Sequence, residues 1–246
     1  LTRRIMKVAK AAVGIAIATA LGACGGSSGS DSGPAPAPTS AAIPGETVAH
    51  RWMDVLLEAI RKDYARPVVH ARNLFHVTAA MYDAWAAFDQ RASPYLLGRE
   101  RAGYACAKLE VPLVDDAGAA RRRAISHAAH RLIRHRFAKS PGWMETFDRA
   151  DALLASIDSA AVAGSASDPV AALGRYIADC FIAFGLRDGS NEANGYANVD
   201  YVPVNPPIRP VEPGNPTIVD RDRWQPVSLT RFVDQAGNVL DSSPSF

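Results

Sequence analysis

The sequence predicts an all-α protein: a bundle of about five helices followed by a proline-rich irregular segment. Three observations predict it. Apolar residues recur at helical spacing in five windows between residues 47 and 186. Helix punctuation falls at the window edges, with Thr47 and Asp168 placed as N-caps and Pro67 and Pro169 in first turns. From Asp188-Gly189 onward the periodicity stops, and prolines 203, 206, 207, 210, 213, 216, 226 and 244 punctuate the chain. A hydrophobic content of 48% in 246 residues is enough to fill a core.

Residues 1–24 have the pattern of a targeting segment. Arg3, Arg4, Lys7 and Lys10 precede the apolar run AAVGIAIATALGA, which is short for a membrane span. The run ends in Leu21-Gly22-Ala23-Cys24, which resembles the bacterial lipobox. That resemblance implies a lipidated Cys24, an exported lipoprotein in the cell envelope, and a membrane partner through the lipid anchor. Residues 25–46, rich in Gly, Ser and Pro, form a linker that holds a domain off the membrane. The helical bundle domain spans 47–188, and a proline-rich loop segment spans 189–246.

Charge narrows the function classes. The formal net charge is +2, but four of the 27 basic residues lie in the leader, leaving 23 against 25 acidic residues. A nucleic-acid surface needs a clustered positive field, so nucleic acid is not an expected partner. The basic concentration Arg121-Arg122-Arg123, with Arg131, Arg134 and Arg136, is expected as a solvated helix face.

The first helix, over 47–64, carries Trp52, Val55, Leu56 and Ile60 inward. The second, over 67–89, is the longest clean pattern and is expected at the centre of the bundle. Leu74, Val77, Met81, Trp85 and Phe88 form its apolar line, widened by Phe75 and Tyr82. Its opposite face carries Arg72, His76 and Asp83 among alanines. Residues 90–116 form a connection. The third helix, about 117–138, buries Ile125, Ala128, Ala129, Leu132, Ile133 and Phe137. Pro141 opens a fourth, to about Ala161, and the fifth runs from Pro169 to near Leu186.

Arg72, His76 and Asp83 are expected to be a structural polar cluster. His76 and Asp83 are two turns apart, about 10 Å along the axis, too far to bond each other. His70 and His76 point about 120° apart, and His127, His130 and His135 stand among arginines that repel a cation, so no metal site is expected. No nucleophile elbow, phosphate-binding glycine loop or Cys-x-x-Cys is present. Cys106 and Cys180 form a candidate disulfide in an exported protein, although two cysteines specify no framework.

The stretch 51–89, RWMDVLLEAIRKDYARPVVHARNLFHVTAAMYDAWAAFD, resembles the N-terminal helical segment of bacterial vanadium-dependent haloperoxidase-like proteins of the type-2 phosphatidic acid phosphatase superfamily. The matching features are Ala59-Ile60-Arg61, Pro67, Ala71-Arg72, His76 and Met81-Tyr82-Asp83-Ala84. The stretch from Gly189 to Leu229 is similar to a proline-rich segment of one branch of these proteins. The resemblance implies an oxyanion pocket that holds vanadate or phosphate through charge-assisted hydrogen bonds. Its motifs are a lysine followed by Arg-Pro, Pro-Ser-Gly-His, and a final arginine with a histidine, and none occurs here. Arg66-Pro67 and Arg209-Pro210 have Ala59 and Val202 where the lysine would stand. No catalytic or cofactor-binding residue therefore transfers to this chain, and vanadate belongs to a longer protein if to any. The expectation is an N-terminal portion whose loop segment leads to an absent C-terminal catalytic half, with self-association or docking to that half as its protein contacts. The alternative is a complete helical lipoprotein with a binding or assembly role.

Overall fold

The computed structural model describes residues 45–159, 168–197, 199, 201–208, 213–226, 232–233 and 239–240. The leader with Cys24, nearly all of the linker and the expected end of the fourth helix lie outside these residues.

Among the described residues five α-helices form the body: α1 (Val48–Arg61), α2 (Pro67–Ala86), α3 (Ala117–Arg136), α4 (Trp143–Ile157) and α5 (Pro169–Gly185). Helix starts follow local chemistry. Thr47 Oγ1 accepts the His50 N–H at 3.3 Å, Asp116 Oδ1 accepts that of Ala119 at 2.9 Å, and Asp168 Oδ1 accepts that of Val170 at 2.9 Å. Pro67 and Pro169 occupy first turns, where the missing N–H leaves nothing unpaired. The fourth helix begins at Trp143 rather than at Pro141, with Gly142 as its N-cap.

The centre of the bundle is α3, not α2. Helix α3 packs against all four other helices. Its inward residues Ala124, Ala128, Ala129, Leu132 and Ile133, with Phe137 at its C-cap, are fully buried, and each large one contributes about 1.5–3 kcal/mol. Gly174 brings α5 against α3, because a β-carbon there would collide with the Ala124 carbonyl oxygen. On the α1 side, Trp52 is fully buried, and its indole N–H donates to Ser126 Oγ at 3.0 Å.

The connection between α2 and α3 contains an antiparallel hairpin, β1 (Arg99–Arg101) and β2 (Tyr104–Cys106). Its turn uses Ala102 and Gly103 at positive φ. Cys106 and Cys180 are joined by a disulfide, 74 residues apart in sequence. The bond ties the hairpin to α5 and restricts the unfolded chain over a long loop. Among the described residues no helix is long and apolar enough to cross a membrane.

After α5 comes a 3-10 turn (Glu192–Asn194), and Phe232–Val233 pairs with Val239–Leu240 as β3 and β4. Between them, Asn205 organises the proline-rich loop from within. Its side chain is buried; Oδ1 accepts the Val219 and Asp220 N–H groups, and Nδ2 donates to the Asp220 and Arg223 carbonyls. A buried amide with both ends satisfied replaces the ladder that prolines forbid.

Candidate functional site

Helix α2 is turned so that its polar line faces inward. His76, Asn73 and Asp83 are buried, whereas Phe75, Tyr82 and Trp85 are 45%, 44% and 36% exposed. The apolar arc is therefore split. Val77 and Met81 pack in the core, and the aromatic side looks outward. Inward polar residues need partners, and α3, α5 and the loop after α5 supply them.

The resulting network is built on two arginines. Arg72 Nε donates to Asp188 Oδ2 at 2.5 Å, and its Nη2 donates to Glu192 Oε2 at 2.7 Å and the Gly185 carbonyl at 2.9 Å. Arg136, with a fully buried side chain, pairs with the same Glu192 oxygen and donates to the Phe181 carbonyl at 3.0 Å. Gly185 is small because both guanidinium groups lie over it. Tyr196 adds a ring face to Arg72. Two cations thus meet two carboxylates in a largely dry site, which is favourable only when every charge is matched.

Electrostatics fit this account. Burial pulls Arg136 down to about 10, aided by Arg72, so it remains charged at neutral pH. Burial pushes the Asp188 carboxyl up, but its hydrogen bonds from Arg72 and Ser190 outweigh that and hold it below the usual carboxylate range. His76 drops to about 3 through burial and the adjacent Arg136 and Arg72. Geometry requires the same, because Arg136 Nη2 donates to His76 Nδ1 at 3.0 Å and so needs a lone pair there. His76 Nε2 lies 3.7 Å from Asp188, beyond hydrogen-bonding range.

The structure corrects two placements. Asp83 does not join Arg72 and His76. It stands further along α2, and its carboxylate accepts the N–H groups of Tyr95 at 2.5 Å, Leu96 at 2.8 Å and Leu97 at 2.8 Å. Burial pushes this carboxyl up while those three donors pull it down. Arg136 is not on a solvated face, because α3 is the hub and that position points at α2 and α5. Glu192, the shared acid, carried no sequence signal. It sits in an irregular segment 56 residues from Arg136.

A basic cleft of about 370 Å³ is lined by His127, His130, Arg131, Arg134 and His135 of α3, with Arg175 and Ile182 of α5. His127 Nε2 bonds Asp158 at 2.9 Å, His130 Nε2 bonds Asp151 at 2.6 Å, and His135 Nε2 bonds Glu192 at 3.0 Å. Burial lowers His127 and His130 despite Asp158 and Asp151, and lowers His135 to about 4 with the help of Arg136, Arg131 and Arg72 and against Asp179. Among the described residues no group of three or more His, Cys, Asp or Glu could hold a metal ion.

Acid is expected to loosen the fold through these histidines. A histidine whose folded value is lowered binds its proton preferentially when unfolded, so stability is intact above about 6.5 and falls as pH drops below it. His76 alone contributes a slope of about 1.4 kcal/mol per pH unit between 6.5 and its folded value. Urea unfolding at pH 7, 5.5 and 4.5 measures this; a flat stability across that range would show that His76 titrates normally.

No family model, curated protein or solved structure matches this chain.

Proposed function

We infer that this chain is the helical scaffold of an exported, lipid-anchored protein of the vanadium-dependent haloperoxidase-like kind, without chemistry of its own. A C-terminal catalytic half completes it by docking on α2. The observation that carries this reading is the outward row of that helix. Val68, Phe75, Tyr82 and Trp85 are all exposed, with Thr78 the one polar side chain among them besides the Tyr82 hydroxyl. A two-turn repeat of large apolar groups on one helix face is what a further packed helix covers. Arg72 and Arg136, the two arginines of the buried network, are both matched by Asp188 and Glu192. This supports an inert scaffold rather than a reacting centre.

The test is to express the chain alone and with the reading frame continued beyond Phe246. The chain alone is expected to show neither vanadate-dependent bromination nor phosphate-ester hydrolysis, and the extended protein to show one of them. Turnover by the chain alone, or a continued frame lacking the lysine/Arg-Pro and Ser-Gly-His motifs, would sink the reading. The second reading, a complete helical lipoprotein that binds or assembles, is favoured by the loop that Asn205 closes on itself. Monomeric, cooperative unfolding of the full chain would support it.

A further inference from the structure

We propose that the cleft between α3 and α5 is a binding site for a small multivalent oxyanion, independent of the chemistry of any C-terminal half. The cleft is lined by the guanidinium groups of Arg131, Arg134 and Arg175, and no carboxylate lines it. The nearby acids lie on its flanks. Asp179 bonds Arg131 Nε at 2.5 Å, and Asp151 takes Arg134 Nη1 at 2.8 Å on both its oxygens. Phe147 supports the Arg134 guanidinium with its ring 4.1 Å away. These contacts hold two of the cations in fixed positions while leaving their side chains 46% and 36% exposed.

Arg175 is different. Among the described residues it has no ion pair or hydrogen bond, although it lies close enough to His127 to lower that group. It is half-buried, with its guanidinium still open to water at the cleft. A ligand oxygen would replace that water with a charged acceptor. The three histidines are held neutral, and Asp179 and Asp151 offset Arg131 and Arg134, which leaves Arg175 as the uncompensated cation among the described residues of the cleft.

The ligand class follows from geometry. One carboxylate is satisfied by one guanidinium fork. Guanidinium groups from two helices need an anion with oxygens in several directions, hence a polycarboxylate or a phosphoryl group. A volume of about 370 Å³ accommodates either, and Ile182 offers a small apolar wall.

Calorimetric titration of the full chain at fixed ionic strength tests this, with citrate and inorganic phosphate as probes and acetate as the monovalent control. One saturable site for citrate or phosphate is expected, and the tighter of the two identifies the source of the charge. Arg175→Gln should weaken it about tenfold or more, as loss of a charge-assisted hydrogen bond does. Arg122→Gln, exposed on α3 outside the cleft, should leave it unchanged. The melting midpoint of each variant confirms folding, and the tighter probe should raise that of the unsubstituted chain. Absence of saturable binding, equal binding of acetate, or equal weakening by Arg122→Gln would overturn the proposal.

Discussion

Replacing Glu192 with glutamine is expected to lower stability by roughly 4 kcal/mol, the penalty for removing one partner from a buried ion network. One oxygen of Glu192 accepts from Arg72 at 2.7 Å and from Arg136, and the other meets His135 at 3.0 Å. The amide that replaces it is neutral, so two guanidinium groups in a dry site are left with Asp188 alone. Glu58→Gln is the comparison. Its partners Arg61 and Lys62 are solvent-exposed or partly so, and its effect is expected below about 1 kcal/mol. Chemical denaturation at pH 7 reads both. If Glu192→Gln falls within the range of Glu58→Gln, the network is not a keystone of the fold.

Asp83→Ala is expected to cost about 4 kcal/mol by a different route. Asp83 is fully buried, and its two oxygens take three successive backbone N–H groups from Tyr95, Leu96 and Leu97. Truncation leaves two buried donors, Leu96 and Leu97, and the half-buried Tyr95 donor with no acceptor, at about 1–3 kcal/mol for each buried one before relaxation. The damage should be local. The segment 95–97 leads directly into the hairpin that the disulfide ties to α5. Amide exchange should therefore accelerate first at residues 95–106, while α3 stays protected. Uniform loss of protection across the bundle would contradict this division.

Much of the fold was legible locally. The caps at Thr47 and Asp168 and the prolines at 67 and 169 mark helix starts because their chemistry acts within one turn. The inward face of α3 was legible because its apolar period is unbroken. The hairpin at 99–106 was missed, since three-residue strands that are largely exposed carry no alternation. The orientation of α2 was also not legible. Its periodicity divides the helix into an aromatic and a polar side, and either could face inward if partners exist for it.

Sequence alone determined the helices, the starts marked by Thr47, Pro67 and Pro169, and the residue types from which a site would be assembled, because those depend on neighbours within a few residues. It also carried the resemblance that gives the proposed scaffold its kind, while the exposed row of α2 carries the proposed docking. Tertiary structure alone decided that α3 is the hub and that the polar side of α2 is buried. It separated Asp83 from Arg72 and His76, and it gathered Arg175 with the α3 arginines. The physical reason is that the partners lie far apart in the chain: Glu192 is 56 residues from Arg136, and Asp188 is 116 from Arg72. No local period encodes such a match of charge.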